Sequence, residues 1–320
     1  MLGLILLLQA LTVAVSGPAT SPEYLPLWVA EAEGLFTREG LSVTLRSTRA
    51  EVGAAEALAQ GQVDLAATSL EALLRFGTRP TVPVPRLIFG LTAAPPVALL
   101  ASSKPGEPRS VNKLAGSKVG LSAPGAPEHT WLLGILAMAK VSPAQVQLIS
   151  LGARALPAAL DGAEIQAAMI GEPAATRMLG DDKAVVLADL RSPESVVSAL
   201  GALTVSAAVF TRRERKVSDA DLAAFARALL AAQKRIQSGS GPSLAERLPT
   251  RIVGPLEEFD GRLATTRGIF LQEGHVTPAQ LRRTIELILA HLPLPASVTL
   301  PRPEDILYLE PLRQALTPSR

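Results

Sequence analysis

Leu41-Ser42-Val43-Thr44-Leu45-Arg46, the stretch Glu51 to Gln60, and Val63-Asp64-Leu65-Ala66-Ala67 decide the fold. The first alternates apolar and polar residues, the pattern of a half-buried strand. The second predicts a helix that stops at Gly61, and the third predicts the next strand. Leu11 to Val15 is a short β-rich run upstream, broken by Ser16-Gly17-Pro18. Pro26 suits a first helical turn, and Leu25, Trp28, Val29 and Ala32 lie at helical spacing with Gly34 as the cap. Thr68-Ser69 can cap a further helix, ending at Gly77. Strand alternating with helix predicts a mainly parallel sheet with helices on its faces.

The pattern then restarts. Strands are expected at Val97 to Ala101, Lys118 to Ser122, Val146 to Ile149 and Ala167 to Ile170. Ala123-Pro124-Gly125 reads as a turn, and Pro127 starts a helix through about Met138. Leu156 to Asp161 reads as a short helix, and Glu172-Pro173 opens another. An internal echo links the halves. Ala57-Leu58 and Val63-Asp64-Leu65-Ala66 align with Ala159-Leu160 and Ile165-Gln166-Ala167-Ala168. Two lobes of like topology, or coincidence between two helix–strand corners, give such an echo.

The last third is helical. Ser218 with Asp221, and Thr277 with Gln280, are capping patterns. They lead the stripes Leu222, Phe225, Leu229, Ile236 and Leu281, Ile285, Ile288, Leu289, Leu292, the second ended by Pro293. Ser238 to Pro242 reads as a flexible loop between helices, and Arg212, Arg213, Arg215 and Lys216 as a solvated approach to a helix.

Composition narrows function. The 320 residues are 48% hydrophobic and 19% charged, enough for real cores and for about two domains. A net charge of +2 builds no basic face for nucleic acid. No cysteine is present, which excludes disulfides, thiolate metal sites and a cysteine nucleophile. His129, His275 and His291 are not at metal-ligand spacing. Gly120 to Gly125 has one residue too many for a nucleophile elbow, and no phosphate loop or dinucleotide fingerprint occurs. Hence no catalytic residue, metal or cofactor is expected. Met1 to Leu8 reads as the apolar core of an export signal that looks truncated, since no Lys or Arg precedes it, or alternatively as a first buried strand. No segment is long and clean enough to span a bilayer.

Binding features remain. Pro22-Glu23-Tyr24, Thr68-Ser69 and Gly125 to His129 are strand-to-helix junctions rich in small polar residues. In a parallel sheet such junctions share one edge, where ligands sit, and their N–H groups suit an anion; each is also explained as a plain cap.

These residues resemble a known family. Leu25-Pro26-Leu27-Trp28-Val29-Ala30, Gly34-Leu35-Phe36, Glu39-Gly40-Leu41, Val43, Ala57-Leu58, Gly61 and Val63-Asp64 follow the opening of periplasmic solute-binding proteins of the nitrate/sulfonate/taurine and pyrimidine-precursor type. Leu114 to Gly120, Gly125, Val146 and Glu172-Pro173 continue the likeness, which covers roughly residues 11–211. It implies a two-lobed α/β fold of type II with a helical C-terminal tail. Lobe one is expected at 11–94 plus 202–320, lobe two at 95–201, and residues 1–10 as a signal remnant. It also implies a monomer outside the cytoplasm that hands a small polar solute to an ABC permease and ATPase. The cleft positions map onto Tyr24, Thr68, Ser69, Ser122, Gly125, Ala126, His129 and Glu172. No Arg or Lys is among them, and a cleft-facing Glu172 favours an amine, amide or aminopyrimidine over a bare anion. Gln166 and Ala163 stand where the family usually has Asp and Gly. The alternative is an enzyme on the same fold, like the menaquinone-pathway or pyrimidine-precursor synthases.

Overall fold

The computed structural model describes residues 9–48, 51–76, 84–123, 126–214, 216–291 and 301–317. The leader at Met1 to Leu8, the helix end at Gly77, Pro124 and Gly125, Arg215, Leu292 and Pro293 lie outside them. Ten strands are described: β1 Gln9–Val15, β2 Leu41–Ser47, β3 Leu65–Ser69, β4 Arg86–Gly90, β5 Val97–Ser102, β6 Lys118–Leu121, β7 Gln147–Ser150, β8 Ala167–Gly171, β9 Ala184–Asp189 and β10 Ala207–Thr211. They form two five-stranded sheets, in the orders β2-β1-β3-β10-β4 and β7-β6-β8-β5-β9. In each sheet one strand, β10 or β5, runs antiparallel to both neighbours; the β1–β2, β1–β3, β6–β7 and β6–β8 pairs are parallel. The fold is thus two-lobed α/β, mainly parallel, with helices on the faces and a helical C-terminal region.

Each sheet separates two cores. Leu11, Val13 and Val15 of β1 point into one core with Trp28, Phe225 and Leu229, while Ala14 faces the other with Leu58, Leu73 and Ile285. That is the two-residue period of a strand covered on both sides. In the second lobe Leu99 meets Trp131 and Leu132, and Leu100 meets Leu156 and Leu160. The helix Pro278–His291 is not confined to the first lobe: Leu287 packs into the second lobe's core, beside Leu200.

The internal echo is structural. The helices Glu51–Ala59 and Leu156–Asp161 feed β3 and β8, which hold the same place in their sheets. Gly34 caps as expected, at φ 66°, and the four-residue helix Leu35–Arg38 follows it. The expected loop at 238–242 is largely a helix start instead. Ser240 Oγ accepts from Ser243 N at 3.3 Å and Gly241–Ala245 is helical, because a serine cap followed by proline at the second helical position favours that geometry.

Candidate binding site between the lobes

The chain passes between sheets twice, after β4 and before β10, and the two passages are bonded to one another. Ser206 N donates to Thr92 O at 2.9 Å, Ala207 N donates to Thr92 Oγ1 at 3.1 Å, and Thr204 Oγ1 donates to Ala93 O at 2.7 Å. Glu23 is buried against this junction and accepts from Ser206 Oγ at 3.0 Å and Thr92 Oγ1 at 3.4 Å. Tyr24, beside it, is 1% exposed and ends the short 3₁₀ turn Pro22–Tyr24.

The carboxyl end of β3 carries Thr68 and Ser69, both buried. Ser69 Oγ accepts from Ala72 N at 3.2 Å, so it caps the helix Leu70–Phe76. The carboxyl end of β6 leads through Ser122 to the helix Pro127–Met138. Ser122 is half-buried; its N–H donates to Glu128 Oε1 at 3.1 Å, and its hydroxyl binds the same oxygen. Ala126 is half-buried and accepts on its carbonyl from His129 N at 2.9 Å. These two helices meet across the lobes. Thr130 Oγ1 donates to Glu71 Oε1 at 2.9 Å, and Arg75 Nε donates to the same oxygen at 2.9 Å. The structure therefore brings the helix capped by Ser69 together with the helix carrying His129. Gly125 lies outside the described residues.

Burial pushes the Glu71 carboxyl up to about 7, against the opposing pull of Arg75 and Thr130. Burial also pushes His129 down from its ordinary value, and the positive charge of Arg75 adds to this while Glu128 opposes it.

Glu172, one of the mapped cleft positions, is already paired. Its side chain is fully buried, and Oε1 accepts from Arg191 Nη1 at 2.8 Å and Thr176 Oγ1 at 2.9 Å. Oε2 accepts from Thr176 N at 3.2 Å. Arg191 is also bidentate on Asp189, with Nε and Nη2 at 2.9 and 2.8 Å. A buried carboxylate needs such a partner, and the partner lies nineteen residues away in sequence. Arg262, on the first lobe's helix Leu256–Thr266, feels the Glu172 charge from across the border. An exposed pair joins the same helices' neighbourhoods: Arg177 Nη1 to Glu258 Oε1, 2.8 Å.

None of the mapped positions is itself a cation; Arg191 pairs with Glu172, and Arg75 pairs with Glu71 on the helix that Ser69 caps. Sequence reasoning missed Glu71, Arg75, Thr130 and Arg191, and named Glu23 only as part of the Pro22–Tyr24 junction. A usable signal existed for one, since Glu71 interrupts the apolar run Leu70 to Leu74 directly after a capping serine. Among the described residues no group of three or more His, Asp or Glu could hold a metal ion, and no helix is long and apolar enough to cross a membrane.

No curated protein matches the chain at significant similarity. Solved structures share the fold. A protein of Bordetella bronchiseptica RB50 superposes with a TM-score of 0.77 at 20% identity, covering 96% of both chains. The periplasmic aliphatic sulphonate binding protein SsuA from Escherichia coli gives 0.72 at 17% identity, over 94% of this chain and 92% of that one. The alkanesulfonate-binding protein SsuA from Xanthomonas axonopodis pv. citri, bound to MOPS, gives 0.68 at 18%, over 94% and 98%. At such identities the likeness is one of fold. By sequence, the NMT1/THI5-like family matches residues 21–232, two thirds of the chain. The chain belongs to the NMT1/THI5-like family.

Proposed function

We propose that the chain is the solute-capturing component of an ABC-type importer, closing its two lobes over a small polar organic solute. Lobe one is taken as residues 11–94 with 202–320, and lobe two as 95–201. The observation that carries this reading is the buried Thr130–Glu71 hydrogen bond, 2.9 Å, between helices that rise from the carboxyl ends of β3 and β6 in different lobes. Ligands of open α/β sheets sit at those strand ends. The family and the sulfonate-binding structural neighbours support the same reading. The solute proposed is a sulfonate, taurine, nitrate or a pyrimidine-like molecule, held at a border to which Tyr24, Thr68, Ser69, Ser122, Ala126 and His129 belong. The protein works outside the cytoplasm as a monomer and presents its closed form to a permease with its ATPase. Closure follows from differential affinity: a ligand that touches both lobes binds the closed form better and shifts the population toward it.

The test extracts small molecules carried through purification, identifies them by mass spectrometry, and titrates the emptied protein with sulfonates, taurine, nitrate and aminopyrimidines. The expected result is saturable binding with a fall in the radius of gyration in small-angle scattering. Binding of no solute, or turnover of a bound one, overturns the reading.

A further inference from the structure

Glu71 has two oxygens in different circumstances. The residue is 4% exposed. Oε1 accepts twice, from Arg75 Nε and Thr130 Oγ1. Oε2 is buried and has no hydrogen-bond partner. A buried acceptor left bare costs about 1–3 kcal/mol, so a fold keeps one where something else comes to meet it. The remaining buried side-chain atoms without a partner among the described residues are donors: Arg212 Nε, Gln233 Nε2, Arg262 Nη1 and Arg267 Nε. Glu71 Oε2 is the acceptor of that set, and it lies where the lobes touch.

The surrounding charges favour a donor with positive charge. Arg75, from Glu71's own helix, balances one carboxylate. Glu128, from the facing helix, adds a second negative charge that Glu71 senses. His129, next to it, is held toward the neutral form by burial and by Arg75. Among the described residues, two acids therefore face one permanent cation at this corner. Glu172 cannot supply the same contact, because Arg191 and Thr176 take both its oxygens.

We infer that Glu71 is a specificity-determining residue of the interlobe site: its Oε2 accepts a hydrogen bond from an amino or ammonium group of the solute, so the protein selects amino-bearing solutes over bare anions. This rests on the solute-binding reading and adds to it the chemical class of the ligand.

The test uses the full chain and probes matched with and without the amino group: taurine against ethanesulfonate, β-alanine against propionate, 4-aminopyrimidine against pyrimidine. Calorimetry is expected to show an amino-bearing probe binding about ten- to a hundredfold more tightly than its twin, the worth of one hydrogen bond to a charged group. Glu71→Gln should abolish that preference, whereas Arg302→Ala, at an exposed side chain outside the junction, should keep it. A pH series on the wild type needs no variant. An ammonium probe binds the carboxylate form, so its affinity should rise about tenfold from pH 6 to pH 8 while that of its amino-free twin does not rise. Equal or tighter binding of the amino-free twins, or a preference intact in Glu71→Gln, overturns the assignment and leaves the importer reading standing. Silence of every probe, with no solute found in the purified protein, overturns both.

Discussion

Asp64 and Gln166 make the same hydrogen bond in the two lobes. Asp64 Oδ2 accepts from Thr12 N at 2.8 Å, and Gln166 Oε1 accepts from Lys118 N at 3.0 Å. Each side chain stands at the corner before β3 or β8 and ties it to the neighbouring parallel strand, β1 or β6. A glutamine amide thus does the work of the carboxylate, at the price of one extra methylene. A bond to a charged acceptor is worth about 1.5–3 kcal/mol and a neutral one about 0.5–1.5. Asp64→Ala should therefore cost about 2 kcal/mol and Gln166→Ala about 1, read from urea midpoints. The reverse order would show that the two corners are not equivalent.

The alignment of the two halves pairs Gly61 with Ala163. Gly61 has φ 71° and Ala163 has φ 57°. A left-handed conformation is free for glycine and costs an L-residue roughly 1–2 kcal/mol. Glycine loses part of that gain, about 0.4–1 kcal/mol, to its freer unfolded chain. Ala163→Gly should raise stability by about 0.5–1 kcal/mol in thermal or urea unfolding. A lower midpoint would mean that the alanine methyl makes packing contacts that outweigh the strain.

The parallel framework was legible because its strands and helices carry local signals. Leu41 to Arg46 alternates, Gly61 ends a helix, and Ser218 and Thr277 cap theirs as expected, Ser218 Oγ accepting from Asp221 N at 3.1 Å and Thr277 Oγ1 from Gln280 N at 3.2 Å. The strands β4, β9 and β10 were not legible. All five residues of β10 are buried, so no polar residue marks a period of two, and its partners β3 and β4 are distant in sequence. The candidate site divides the same way. Ser69 is set by local capping chemistry, and the start at Pro127 by the proline at the first helical position. Glu71 with Thr130, 59 residues apart, depends on how two lobes meet, which no local pattern encodes.

Burial of Glu71 has a consequence for stability. Its folded-state value, about 7, lies above the ordinary 4.5, so the folded protein holds this proton more tightly than the unfolded chain does. The contribution is complete below the unfolded value and is lost as pH rises from about 4.5 to 7. A shift of that size corresponds to roughly 3 kcal/mol. The stability of the wild type relative to Glu71→Gln should fall across that window and level off above it, measured by urea unfolding at matched pH. A flat difference, or a rise with pH, would show that Arg75 compensates the buried charge in full.

Arg191 holds Glu172 in a site where neither has water as an alternative, their side chains being 6% and 0% exposed. Removing one member of such a pair leaves an uncompensated buried charge, which costs about 3–5 kcal/mol, whereas replacing both by apolar or neutral groups of similar volume is often close to neutral. Arg191→Met should therefore destabilise by about 3 kcal/mol or more, and the Glu172→Gln/Arg191→Met double variant should recover much of the loss. Asp189 limits the recovery, since it also loses Arg191 but is partly solvated. A double-mutant cycle in urea measures the coupling directly. Additive losses would mean that the two side chains act independently, Glu172 being stabilised chiefly by the Thr176 hydroxyl and backbone N–H that it already accepts from.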